Sequence, residues 1–267
     1  MKIGFIGVGA MAQAIIQGLL KAQFVPAKNI LVHSAHAAHY EKYATKYGLT
    51  AQPTNAAVTK NSDLVVLAVV PGITGQVLHE INGELTKPGK TLISIVSGMS
   101  LNRLEELTDY NLPILRSLPN INSEYGQGMT AVAANENLTG EKKKTALAMF
   151  EATGELSELP EAQFAIFSAI SGSAVAYVDF FIDCLSRAGV KYGFSKETAT
   201  RIAAQTTLGS ASSLLASKQA PAELIDQVCS PGGDTIAGIL AMAQAGFLNS
   251  VVKGIDATIE KSTGKTK

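Results

Sequence analysis

The stretch Lys2-Ile3-Gly4-Phe5-Ile6-Gly7-Val8-Gly9-Ala10-Met11-Ala12-Gln13-Ala14-Ile15-Ile16 decides the fold. Residues 3–6 form a short apolar run that stops at glycines, and residues 11–20 then carry apolar side chains at helical spacing. Strand, tight turn and helix is the economical reading. Gly7-Val8-Gly9-Ala10-Met11-Ala12 fits G-x-G-x-x-G/A at that turn. The first glycine makes the turn, the second lets a pyrophosphate approach the backbone, and the small Ala12 lets helix pack on strand. The helix start adds free N–H groups and the positive end of a dipole. These residues predict a dinucleotide-binding Rossmann unit.

Outward from that turn the chain alternates. Residues 30–33 read as a second strand, and 40–47 as a helix ended by Gly48. The β-rich run 64–70, closed by Pro71 and Gly72, suits a central parallel strand buried on both faces. Residues 91–96 give another strand, 101–107 a helix, and 114–118 and 129–133 weaker strands. The alternation implies a parallel, doubly wound sheet. Near residue 160 the pattern changes to long helices over 174–189, 196–217, 235–245 and 247–261, rich in Ala and Ser. The predicted fold is therefore α/β, with a Rossmann domain over 1–158 and an all-α domain over 159–267. The basic tail after Lys261 is expected to fray.

Composition narrows the function classes. Hydrophobic residues make up 46% of the 267 and charged ones only 16%, so an oligomer interface is expected to cover part of the surface. The 22 basic and 22 acidic residues cancel, so no strong field draws nucleic acid or an anionic membrane. Cys184 and Cys229 show neither metal-ligand spacing nor a disulfide framework, which fits a reducing compartment. Lys2 and the apolar residues up to Leu20 superficially resemble a secretory signal, but glycines and glutamines break the run. No uninterrupted apolar stretch is expected to span a bilayer. The chain reads as soluble, cytoplasmic and unprocessed.

The end of the second strand bears on cofactor choice. An NAD site carries Asp or Glu there for the ribose hydroxyls; this sequence has His33-Ser34-Ala35-His36. The missing carboxylate removes repulsion from a 2′-phosphate and Ser34 offers a donor, so NADP(H) is preferred and NAD(H) is the alternative. No Arg completes a clamp. The spacing of His33, His36 and His39 mixes strand end with loop and brings no Cys or carboxylate, so they read as solvated histidines near the cofactor edge; no metal is expected. Farther on, Asp226-Gln227-Val228-Cys229-Ser230-Pro231-Gly232-Gly233-Asp234-Thr235 precedes an apolar helix. Its N–H groups suit a small carboxylate, although an ordinary helix cap explains it equally well. Ser171-Gly172-Ser173-Ala174-Val175-Ala176-Tyr177 reads first as helix packing.

Taken together, these motifs resemble the pyrroline-5-carboxylate reductase family over essentially the whole chain. The 226–235 stretch is the most specific part. Arg116-Ser117-Leu118-Pro119-Asn120, Gly128-Met129-Thr130-Ala131 and Ala68-Val69-Val70-Pro71 add to it. The resemblance implies NADPH-dependent reduction of 1-pyrroline-5-carboxylate to L-proline and a helical domain that interlocks with a partner as a homodimer or higher oligomer. It places Ile6, Gly7, Gly9, Ala10, Met11, Ser34, Asn55, Ala68, Val69, Val70, Pro71 and Val96 at the cofactor. Glu161, Asp226, Ser230, Gly232, Gly233, Asp234 and Thr235 fall at the substrate, with Thr235 bonding the imine nitrogen. Hydride addition to a protonated imine needs little beyond positioning. Four departures from the family pattern stand out: Val70, Ile121, the pair Ala174-Val175 and Asp234. The Asp234 carboxylate is expected to repel a substrate carboxylate. A diverged imine reductase and a non-catalytic dinucleotide-binding regulator are the competing readings. A β-hydroxyacid dehydrogenase is disfavoured, because no lysine follows residues 171–177 until Lys191.

Overall fold

A computed structural model describes residues 1–264; the last three residues of the basic tail lie outside the described residues. The chain divides into two compact units, Met1–Gly172 and Ser173–Lys267. In the first unit eight strands form one sheet: β1 Ile3–Ile6, β2 Ile30–His33, β3 Thr50–Ala51, β4 Leu64–Leu67, β5 Thr91–Ser94, β6 Ile114–Leu118, β7 Gly128–Ala134 and β8 Gly154–Glu158. Their order across the sheet is β3-β2-β1-β4-β5-β6-β7-β8. Strands β1 to β6 pair in parallel.

The sheet is not wholly parallel, which corrects one expectation: β7 runs antiparallel to β6, and β8 parallel to β7. Residues 119–127 between β6 and β7 hold only a short 3-10 turn, Ile121–Tyr125. A parallel return needs a crossover of a dozen or more residues, so this strand folds straight back. Strands β3 and β8 escaped the sequence reading. The first has two residues, and the second, Gly-Glu-Leu-Ser-Glu, is a polar edge strand without an apolar run. Charged edges of this kind blunt unwanted pairing.

Alternate residues of the central strands feed two cores. Ile3, Phe5, Val66 and Ile93 point to one face, where α1 (Ala10–Lys21) and α6 (Gly140–Glu151) bring Ile15, Ile16, Leu19 and Phe150. Helix α2 (Ala37–Tyr47) adds Tyr40 and Ala44 to the same core. Ile6, Val65, Leu67 and Leu92 point to the other face. There α3 (Asn55–Asn61), α4 (Thr74–Leu85) and α5 (Leu101–Leu107) supply Val58, Leu78, Ile81, Leu85 and Leu104. The period of two is what puts both faces to use, and burying each such side chain contributes about 1.5–3 kcal/mol. A Cβ on Gly18 would lie 2.2 Å from the Ser123 carbonyl oxygen, so only glycine lets α1 pack against the Ile121–Tyr125 turn.

The first unit ends in α7 (Phe164–Phe167) and a π-helical turn, Ser168–Ser173. Asn120 ties that turn to β7. Its Nδ2 donates to the Ser171 carbonyl at 3.1 Å while its Oδ1 accepts from the Met129 N–H at 3.4 Å.

The second unit is all helical: α8 Ala174–Lys191, α9 Lys196–Ser217, α10 Pro221–Val228, α11 Asp234–Gln244 and α12 Phe247–Ser262. Small residues bring α8 and α9 close. A Cβ on Gly189 would lie 2.9 Å from Ala199 Cβ, and the Ser186 and Thr200 hydroxyls bond at 2.8 Å. Among the described residues of this unit only Ser186, Ala199 and Ala203 are buried, whereas Phe180, Leu215 and Leu248 are 70%, 80% and 75% exposed. The turns from Glu161 to Lys191 are also long and apolar enough to cross a membrane by length and composition.

Candidate active site

The glycine turn follows β1 directly. Gly7 has φ +96°. Its N–H donates to the His33 carbonyl at 2.9 Å, and the Ala68 N–H donates to Ile6 at 2.8 Å. The turn is thus bolted to the ends of β2 and β4. A Cβ on Gly7 would sit 2.3 Å from the Ala68 carbonyl oxygen, whereas nothing lies within 4 Å of one built on Gly9. The turn is closed beneath and open above. Gly9 is the N-cap of α1, no side chain caps it, and no acid occupies the first turn. The N–H groups of Ala10 and Met11 thus face open space, the cradle a pyrophosphate requires. Gln13 Nε2 donates to the Val8 carbonyl at 2.9 Å and steadies the loop; the motif gave no hint of it.

The other residues assigned to the cofactor follow neighbouring strands: Ser34 after β2, residues 68–71 after β4, and Val96 after β5. Ligands of such sheets bind beyond the strand C-termini where strand order reverses, here between β1 and β4. Val96 is buried and Val70 is 65% exposed. Asn55 opens α3, and its Nδ2 donates to Glu80 at 2.9 Å. His33 sits where a ribose-binding acid stands in NAD sites. Its Nδ1–H donates to the Gln52 carbonyl at 3.0 Å, which also accepts from the Tyr40 hydroxyl at 2.9 Å. Burial, and then the Glu41 charge, pushes the Tyr40 phenol up. Among the described residues no three His, Cys, Asp or Glu side chains gather as a metal site.

Glu161 lies in the first unit with partners the sequence did not suggest. Its carboxylate accepts from Arg116 Nη1 and from the Leu101 N–H at 3.0 Å, the first N–H of α5. The Arg116 guanidinium carbon stands 4.5 Å from the centre of the Phe164 ring.

The remaining substrate candidates belong to the second unit. Asp226 is exposed on α10, and Ser230 to Gly233 form a turn in which the Gly233 N–H donates to the Ser230 carbonyl at 3.0 Å. Gly233 is the N-cap of α11 without a capping side chain. Asp234 folds back on that helix start, its Oδ1 accepting from the Thr235 N–H at 2.8 Å. Thr235 also lines an apolar cavity of about 580 Å³ with Phe181, Leu185, Leu214 and Cys229.

The sheet order, the open glycine turn and the strand ends around it define a Rossmann-type oxidoreductase that takes a nicotinamide dinucleotide. Comparison with known proteins narrows this. Residues 161–265 match the family model "Pyrroline-5-carboxylate reductase dimerisation", and residues 2–98 match "NADP oxidoreductase coenzyme F420-dependent". The pyrroline-5-carboxylate reductase of Synechocystis is 33% identical over 98% of this chain and 97% of its own. That of Escherichia coli is 33% identical over 100% and 98%. Among solved structures, a Plasmodium falciparum pyrroline carboxylate reductase with NADP bound superposes with a TM-score of 0.88 at 31% identity, covering 99% of this chain and 97% of that one. The Streptococcus pyogenes enzyme gives 0.87 at 35%, covering 99% and 98%. The chain belongs to the pyrroline-5-carboxylate reductase family.

Proposed function

We propose that this protein reduces the C=N bond of 1-pyrroline-5-carboxylate to give L-proline, with NADPH preferred and NADH the alternative. The observation that carries the reading is the match to named reductases along both chains, which spans the glycine turn and the 226–235 segment together. NADPH, held through its pyrophosphate by the N–H groups of residues 9–11, supplies the hydride. Ser34 faces the 2′-phosphate, and Ala68, Val69, Val70, Pro71 and Val96 line the nicotinamide side, with Ile6, Gly7 and Asn55 completing the set.

Residues 1–158 serve as the cofactor domain and 159–267 as the substrate and dimerisation domain. The Ser230 hydroxyl and the Gly232 and Gly233 N–H groups hold the substrate carboxylate, Asp226 and Glu161 border the site, and Thr235 hydrogen-bonds the imine nitrogen. The chemistry asks only for such positioning. The functional unit is a homodimer or higher oligomer in the cytoplasm, without nucleic-acid or membrane partners; the exposed apolar side chains of α8 to α12 support the self-association. Purified protein mixed with NADPH and 1-pyrroline-5-carboxylate is expected to oxidise the cofactor and accumulate proline. Bound NADPH that stays reduced overturns the reading.

One observation favours a second substrate class. Asp234 takes up the Thr235 N–H and sets a negative charge at the helix start, which suits a cyclic imine without a carboxylate. Faster turnover of plain 1-pyrroline than of its carboxylate decides for that class.

A further inference from the structure

We propose that His36 and His39 are the 2′-phosphate clamp of this chain and make its choice between the two nicotinamide cofactors depend on pH. The proposal rests on the NADP(H) reading above and supplies the cation that this reading lacks. The loop after β2 carries no Arg or Lys before Lys42 and no acid before Glu41. The Gly7 N–H bond to the His33 carbonyl, at 2.9 Å, fixes the start of that loop against the pyrophosphate turn. A 2′-phosphate on a ribose at the end of β2 therefore has the 34–39 segment as its nearest polypeptide.

There the exposed His36 and His39 rings stand with centroids 6.0 Å apart, tilted by 57°. They flank an open hollow of about 410 Å³ whose other walls are Ala35, Ala37 and Ala38. His33 is not the third member. Its Nδ1–H is committed to Gln52, and its ring lies edge-on to Tyr40. Two imidazoles around a hollow of alanines offer donors to a dianion and no competing carboxylate. An imidazolium doubles as charge and donor, and it is lost within the physiological range.

The titratable groups on the elements packed around this loop are few. β2 brings His33, β3 brings none, and α2 brings Tyr40, Glu41, Lys42, Tyr43, Lys46 and Tyr47. Helix α1, which Tyr43 touches through Gln13, brings Lys21 at its far end. Of these only His33 is another imidazole.

The probes are 2′,5′-ADP and 5′-AMP, bound to the full-length protein in a calorimeter between pH 6.5 and 8.5. The phosphate is already mostly dianionic there. Affinity for 2′,5′-ADP is expected to fall about tenfold or more across that range as the imidazoles lose their protons, while affinity for 5′-AMP changes less than about twofold. The double variant His36→Ala/His39→Ala is expected to bind 2′,5′-ADP about tenfold more weakly at pH 6.5 and to lose the pH dependence. His36→Arg, with a permanent charge, restores affinity at pH 8.5. A pH-independent 2′,5′-ADP affinity in the unaltered protein overturns the proposal. So does a pH dependence that survives in the double variant. No arm uses an imine, so failure here is separate from failure of the reductase reading.

Discussion

At Gly7 two constraints coincide: φ is +96°, and the Ala68 carbonyl oxygen lies 2.3 Å from where a Cβ would sit. Strain of about 1–3 kcal/mol follows from a side chain in such a conformation, and the turn must move to relieve it. Gly7→Ala is therefore expected to raise the NADPH dissociation constant roughly tenfold or more, while the helical unit keeps its circular dichroism signal; unchanged affinity removes the turn from the cofactor site. At the other candidate site, Thr235→Ala is expected to lower kcat by about a hundredfold if its hydroxyl manages the imine proton. Asp234→Thr removes the carboxylate that takes up the Thr235 N–H, and a lower KM for 1-pyrroline-5-carboxylate is expected. An unchanged KM rejects repulsion as its effect. Motif spacing made the glycine turn and the 226–235 turn legible, because each is a short contiguous run whose job is backbone geometry. The Gln13 bond to Val8 was not legible, since an amide on a helix face has many partners open to it. The His33 carbonyl was hidden too, because a backbone acceptor carries no sequence signature.

Elements show the same divide between local and distant information. Helix α5 and strand β6 match the sequence expectation residue for residue, since apolar runs and breakers mark their ends. The ion pair from β6 to the turn at Glu161 could not be read, because Arg116 and Glu161 are 45 residues apart. Arg116 is 11% exposed in its side chain and Glu161 30%, so removing one partner strands a partly buried charge. Arg116→Ala is expected to cost about 3 kcal/mol in urea unfolding, and adding Glu161→Gln is expected to recover part of that loss. Equal stability of the two variants sinks the claim that the pair is coupled. In the helical unit Asp183 accepts from Lys196 at 2.5 Å and from Arg187 at 2.6 Å, joining α8 to the start of α9. The Lys196 bond, then the Arg187 bond, holds the Asp183 carboxyl below its usual range. A lowered carboxylate pKa stabilises the fold above the unfolded value near 4, and the effect is lost as pH falls through the lower folded value. Asp183→Asn should thus lower Tm at pH 7, with the difference closing below about pH 4.

The whole molecule pairs a self-sufficient sheet domain with a helical unit that buries little of its own apolar surface. Composition hinted at surface covered by something other than water, since only 16% of the residues are charged, against about 25% in an ordinary globular chain. Which apolar side chains stay exposed was not legible, because Phe180, Leu215 and Leu248 fit a helical core equally well until the helices are placed. Single charged substitutions there, such as Leu248→Glu, are expected to shift sedimentation toward monomer and to lower Tm; an unshifted sedimentation profile removes that face from the interface. The central claim, hydride transfer from a nicotinamide in the first unit to a cyclic imine, is tested most directly with NADPH carrying deuterium at the transferring C4 position. Mass spectrometry of the product is expected to find proline heavier by one deuterium, on the carbon of the former C=N bond. Proline without that label, or cofactor bound and never consumed, contradicts the account.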